Sequence, residues 1–188
     1  MSTVTKKRPL TAILCCALLV ALGTVLKMYV TFNITLGAVI ISRVGFHLLT
    51  VYLAAMLFGP VFGMITGALV DFLSSILAPV GAYNPIYTLT LLLTGLLIWL
   101  CYEILFKRVK PAFLRILLTV LLVQALFVWP INTLWTVVFY GSQKGFLGLL
   151  ISRAPSLLFY VPVFTLTLSA LVPILEKQLR SMGVTVRI

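Results

Sequence analysis

Apolar residues in this chain come in long runs, without the strict alternation of a half-buried strand or the polar face of a surface helix. From Leu10 to Val30 only Thr11, Gly23, Thr24 and Lys27 interrupt the first run. Five more cover about Arg43–Phe58, Val61–Leu77, Ile86–Phe106, Ala112–Tyr140 and Arg153–Leu175. The hydrocarbon core of a bilayer takes about 20 such residues as a helix, with a range of roughly 17–25. Helices are favoured there because each satisfies its own backbone hydrogen bonds where no water can. The pattern therefore predicts an all-α integral membrane protein, with six transmembrane helices in a single bundle and one membrane domain over residues 1–188. Gly59-Pro60 separates the second and third runs, and the turn-rich stretch from Pro79 to Asn84-Pro85 closes the third. Pro130 should kink the fifth helix, and Pro162 and Pro173 lie inside the sixth. Thr31–Ser42, with Asn33 and Gly37, is expected to be a loop or a short re-entrant piece.

Composition agrees and adds an orientation. The 188 residues are 62% hydrophobic and 9% charged, against about 25% charged in soluble domains. The few charges are lopsided: 14 Lys and Arg against 3 Asp and Glu, for a net charge of +11. Six passes put both termini and the loops after helices two and four on one side. Ten of the 14 basic residues fall there: Lys6, Lys7, Arg8, Lys107, Arg108, Lys110, Arg115, Lys177, Arg180 and Arg187. By the positive-inside rule that side, with the N- and C-termini, is cytoplasmic. The basic excess thus sets topology in a cell membrane, and nucleic acid is not an expected partner. Lys27, Arg43, Lys144 and Arg153 fall on the outer side, where Lys27 and Lys144 are expected to snorkel to the headgroups. The run after Lys6-Lys7-Arg8 is long enough to span and has no small-residue cleavage site, so a cleaved signal peptide is not expected. Cys15, Cys16 and Cys101 sit in apolar stretches away from the single His, which gives neither a metal site nor a disulfide framework.

Several polar residues fall at similar depth in the outer half. Arg43 and His47 are one turn apart at the start of helix two. Asp71, ten residues into helix three, lies roughly 15 Å from that helix's cytoplasmic start. Tyr83, Asn84 and Tyr87 gather at the start of helix four, Asn132 and Trp135 on the outer half of helix five, and Arg153 at the opening of helix six. Ionisable groups in a membrane normally face a bundle interior or a water-filled cavity, so an outward-opening cavity is expected. Two arginines and a histidine against one acid should attract an anion, since the guanidinium fork matches carboxylate or phosphate. Phe46, Tyr83, Tyr87, Trp135 and Tyr140 are placed to stack a flat ring. Structural readings stand beside these: Asp71 as a buried ion pair with Arg43 or Arg153, His47 and Asn132 as interhelical hydrogen-bonding groups, Trp135 and the tyrosines as an interfacial belt.

Gly59, Gly63 and Gly67 recur every four residues toward Asp71 and should let helix three approach a neighbour closely. Ala17 and Ala21 form a second small pair on helix one, a candidate docking surface for a partner membrane protein. Neither a phosphate-binding G-x-x-x-x-G-K-[ST] loop nor H-E-x-x-H or G-x-S-x-G occurs. Three acids and one His also argue against an intramembrane enzyme, and no cofactor is implied.

The chain resembles the substrate-binding S components of the energy-coupling-factor (ECF) vitamin transporters, and within them the folate-specific family. The resemblance spans nearly the whole length. It is carried by Arg43-Val-Gly45-Phe46, by Phe58-Gly59-Pro60-Val-Phe-Gly63 through Gly67-Ala-Leu-Val-Asp71, and by Pro79-Val-Gly81-Ala-Tyr83-Asn84-Pro85. Asn132-Thr133-Leu134-Trp135 and the following Arg153 look like the folate branch, while His47 and Asn84 depart from its usual pattern. The resemblance implies a six-helix subunit that binds its vitamin from outside and works with a transmembrane coupling protein and two cytoplasmic ATPase subunits. It implies that helix one docks through Ala17 and Ala21, that the connection after helix one gates the pocket, and that the whole subunit topples in the bilayer during transport. Folate would then meet Trp135, Tyr83 and Phe46 by stacking, Asp71 and Asn132 at the ring edges, and Arg43 and Arg153 at the glutamate tail. An S component for another anionic vitamin such as pantothenate, or a membrane scaffold without ligand, are the competing readings.

Overall fold

The computed structural model of the chain describes residues 9–36, 39–79, 83–141 and 145–182, with Pro9, Tyr140 and the described part of 32–44 given by backbone alone. The expectations for Lys6, Lys7, Arg8, Lys144 and Arg187, and for the side chain of Arg43, lie outside the described residues. Helices follow the apolar runs: α1 (Pro9–Tyr29), α2 (Leu48–Phe58), α3 (Pro60–Leu77), α4 (Pro85–Trp99), α5 (Ala112–Leu122), α6 (Trp129–Tyr140), α7 (Gly145–Arg153) and α8 (Pro155–Ser181). Among the described residues, five helical stretches are long and apolar enough to cross a membrane: Leu10–Tyr29, Pro60–Leu77, Pro85–Leu105, Ala112–Phe139 and Pro155–Ser181. Large apolar side chains cover their outer faces; Leu18, Leu126 and Leu158 are 71%, 72% and 81% exposed. Such a surface suits lipid and not water. The protein is a helical, multi-pass membrane protein.

The connection after α1, expected as a loop or short re-entrant piece, holds two strands. Thr31–Leu36 (β1) and Val39–Gly45 (β2) pair antiparallel, from Thr31 opposite Gly45 to Leu36 opposite Val39. A bulge between Ile34 and Thr35 leaves Ile41 without an opposite residue. The Val, Ile and Thr content of 31–44 accounts for this, since β-branched residues favour strands. Helix two therefore begins at Leu48, because the strand consumes Arg43–Gly45. At 11 residues α2 is only about 16 Å long, too short for the hydrocarbon core. Every residue of it except Leu49 is buried, as expected of a helix apolar on all sides. It ends at Gly59, whose φ of 100° suits a residue without Cβ, and Pro60 opens α3.

Glycines set the packing of α3. A Cβ on Gly63 would lie 2.6 Å from that of Ala55 on α2, and one on Gly67 would collide with the Leu91 carbonyl of α4. Backbones thus approach along the seam that the four-residue glycine spacing predicts. The fifth apolar run is α5, a π-helical turn over Val123–Val128, and α6. Pro130 explains the turn: without an N–H, and with its ring set against the preceding turn, it perturbs the normal ladder. A second π-helical turn, Leu100–Leu105, ends α4. There Arg115 Nε donates to the Tyr102 carbonyl at 2.7 Å, its guanidinium lies 3.8 Å over the Tyr102 ring, and Glu103 is 3.1 Å away.

The last run is divided. Arg153 ends α7, and α8 starts at Pro155 and continues to Ser181, so Arg153 sits at a junction and does not open the final span. Proline at the first position of α8 marks the new start.

Candidate ligand-binding cavity

A cavity of about 420 Å³ lies between α4, the α5–α6 stretch and α8, with the turn before α2 at one side. Ligand clefts commonly measure roughly 300–1,000 Å³. Along the α5–α6 wall Gln124, Val128, Asn132 and Thr136 follow at four-residue intervals, the spacing of one helical face, and Trp129 joins them. From α4 come Tyr87, Thr90, Leu91 and Thr94, and from α8 Ser156, Leu157 and Tyr160. His47 and Leu48 close the side nearest the hairpin, and Arg153 supplies the charge.

Most hydroxyls here are held by their own helices. Thr90 Oγ1 donates to the Ile86 carbonyl at 2.8 Å, Thr94 Oγ1 to Thr90 at 2.7 Å, and Thr136 Oγ1 to Asn132 at 2.7 Å. Arg153 Nη1 in turn donates to Thr136 Oγ1 at 3.2 Å, and Ser156 Oγ to the Arg153 carbonyl at 2.6 Å. The guanidinium thus reaches α6, while Ser156 of α8 holds the Arg153 backbone. No carboxylate lines the cavity among the described residues, so its one full charge is positive. Tyr160 serves two neighbours: its hydroxyl accepts from the Gly45 amide at 2.8 Å, and its ring meets Phe164 edge-on at 5.2 Å.

Of the residues singled out in the sequence, His47, Tyr87, Asn132 and Arg153 line this cavity. Trp135 stands behind the wall, where its Nε1 donates to Thr90 Oγ1 at 3.1 Å. Phe46 stacks on Phe164 with ring centroids 6.1 Å apart. Asn84 caps α4, accepting from the Ile86 amide at 3.1 Å, and Tyr83 shares a 2.8 Å hydrogen bond with Thr88. Asp71 is an ion-pair partner, but of Lys27. Thr88 Oγ1 also donates to Asp71 at 2.5 Å. The expectation that Lys27 snorkels to the headgroups is therefore overturned: a buried carboxylate one helix away is a stronger attractor than the interface. Neither Arg153 nor any other arginine among the described side chains is recorded as its salt-bridge partner.

Gln124, Trp129, Ser156, Tyr160, Thr90 and Thr94 also line the cavity and are not among the residues singled out in the sequence. The spacing 124–128–132–136 was the signal available, extending from Asn132 along one face. Small hydroxyl residues in an apolar helix carry no such signal, because they hydrogen-bond to their own backbone as often as to anything else.

A helical membrane protein with a cavity holding one cation, aromatic walls and amide groups has the features of a binding subunit. The family model for the ECF transporter substrate-specific component matches residues 12–175, and the chain belongs to that family. It is 32% identical over 124 residues to the folate transporter FolT of Clostridium novyi (strain NT), covering 61% of this chain and 70% of that one. With the folate transporter FolT of Leuconostoc mesenteroides subsp. mesenteroides it shares 27% identity over 150 residues, 78% and 76% of the two chains. Its fold is similar to a crystal structure of FolT bound with folic acid, with a TM-score of 0.68 at 22% identity over 82% of this chain and 90% of that one. The S component of a bacterial ECF transporter gives 0.65 at 16% identity, over 92% and 99%.

Proposed function

We propose that this chain is the folate-binding subunit of an ECF-type importer, capturing folate from outside the cell for delivery inward. The observation that carries the reading is the cavity: one guanidinium in its lining, no lining carboxylate among the described residues, and the rings of Tyr87, Trp129 and Tyr160 in its walls. Folate pairs a flat ring with a tail of two carboxylates, which such a cavity complements in charge and shape. The folate transporters among its relatives support the same ligand.

His47, Tyr87, Asn132 and Arg153 touch the ligand in this reading, with Arg153 on a tail carboxylate and Trp135 bracing the wall through Thr90. Arg43 serves the second carboxylate, while Phe46, Asp71, Tyr83 and Asn84 hold the surrounding helices. The chain crosses a bacterial cytoplasmic membrane six times, with α2 passing inside the bundle where protein and not lipid surrounds it. An even number of passes puts both termini with the ten basic residues in the cytoplasm. A transmembrane coupling protein and two cytoplasmic ATPase subunits supply the energy, since the chain is a transport subunit with no nucleotide-binding motif of its own. Ala17 and Ala21 are both exposed on the outer face of α1 and form the docking surface.

Purified protein should retain labelled folate, lose it to excess unlabelled folate, and keep it in excess pantothenate; a mass spectrum of the co-purified small molecule should show a folate. Displacement by pantothenate, or no retention, would reject the assignment.

A further inference from the structure

We infer that Gln124 reads the edge of the ligand's ring, at the end of the cavity away from Arg153; the inference rests on the folate reading above. Gln124 is 2% exposed, it lines the cavity, and its Nε2 has no hydrogen-bond partner. Nearby on the same wall, the Nε1 of Trp129 also has none. Buried polar groups in proteins are nearly always paired, because an unpaired one gains nothing for the water it has lost. In a bundle core that served only packing, leucine or methionine would do better at this position.

Position along the wall separates the two polar ends. Gln124 lies twelve residues before Thr136, the hydroxyl that receives Arg153, or roughly 18 Å at helical rise. Between them run Val128 and Asn132. The π-helical turn over Val123–Val128 includes Gln124, and turns of this kind recur at functional sites. A carboxylate held at Arg153 therefore leaves the rest of an elongated ligand to extend along this wall toward the amide. A primary amide offers an acceptor and a donor side by side, which complements an H–N–C=O edge. A pterin ring carries that edge, and a benzoylglutamate tail alone has no ring of this kind. The unpaired hydroxyls of Tyr52, Thr66 and Thr165 differ, since none of these residues lines the cavity.

The test replaces Gln124 by methionine, which keeps its length and removes both polar atoms. Binding of labelled folate, and its displacement by p-aminobenzoylglutamate, are compared with the wild type. Gln124→Met should weaken folate by about 10–100-fold. It should leave p-aminobenzoylglutamate unchanged and leave the melting temperature of ligand-free protein equal or higher. Equal losses for both ligands, or no loss for folate, would overturn the assignment. So would a lower ligand-free melting temperature, which would show that the amide serves the fold. A wild type that retains no labelled folate rejects the folate reading instead, and the melting comparison still decides whether Gln124 is structural.

Discussion

On one face of α4 the backbone at Leu91 and Gly95 is pressed against α3 so closely that a Cβ on Gly67 or Gly95 would strike main-chain atoms. On the adjoining face, with Leu91 shared between the two, Tyr87, Thr90 and Thr94 border about 420 Å³ of open space. Charge follows the same division. On the tight side Lys27 and Asp71 neutralise one another, with Thr88 of α4 completing the carboxylate. On the open side Arg153 faces a lining without a carboxylate among the described residues. A bundle that must hold a ligand in hydrocarbon needs rigidity somewhere, and here one helix is rigid along one face and receptive along the other. Charge thus divides into a neutralised pair on the tight side and a cationic lining on the open one.

Loading each face of α4 in turn should have the largest and most unequal effects. Gly67→Leu forces a side chain into the Leu91 carbonyl, where backbone cannot yield, and should cost about 3 kcal/mol or more of stability. Thr94→Val on the cavity face keeps its volume and gives up only a hydrogen bond to the Thr90 carbonyl, so its cost should stay near 1 kcal/mol or less. Thermal unfolding in detergent reads both. Comparable losses would mean that the cavity face is as tightly packed as the seam.

A second test concerns the charge left for a ligand. Arg153→Ala should lower folate affinity by about 100-fold, near 2.7 kcal/mol, because the tail carboxylate loses a charge-assisted partner. Pteroate, which lacks the glutamate, should lose much less. Equilibrium binding of both ligands to the purified protein decides it, and equal losses would remove Arg153 from the tail.

How much of this was legible beforehand differs between the two sides. The apolar runs and the breakers Gly59-Pro60 mark the helices, and the glycine spacing before Asp71 marks the seam, because both are periodic along one element. The hairpin is harder to read: Val39-Ile-Ile41 and Val44 favour a strand, but Asn33 and Gly37 point to a loop or re-entrant piece over Thr31–Ser42, and Val44 falls in the apolar run from Arg43. Of the nine proposed site residues with described side chains, His47, Tyr87, Asn132 and Arg153 line the cavity. Asp71 was seen as an ionisable group in lipid, yet its partner could not be chosen from the sequence, because the choice depends on how α1 leans on α3. Gln124 was passed over because a lone amide in an apolar run looks like an interhelical glue residue until its surroundings are known.

A smaller effect than at the glycine seam or at Arg153 is expected at the Lys27–Asp71 ion pair, where fold and binding separate. Asp71→Asn retains an acceptor for Thr88 but leaves the Lys27 ammonium without a counter-charge. Removing one partner of a fully buried pair costs more than this pair should, since the Lys27 side chain is 26% exposed and can relax outward once its partner is gone. A destabilisation of about 1–2 kcal/mol is expected. Lys27→Met should cost a similar amount for the opposite reason, a carboxylate left with Thr88 alone. The two together should cost less than their sum, since the second change removes a charge the first has stranded. Folate affinity should meanwhile stay within about twofold in all three variants, because neither residue lines the cavity. Additive losses of stability would show that the pair is not coupled. A large loss of affinity at unchanged stability would move Asp71 from the scaffold into the binding site.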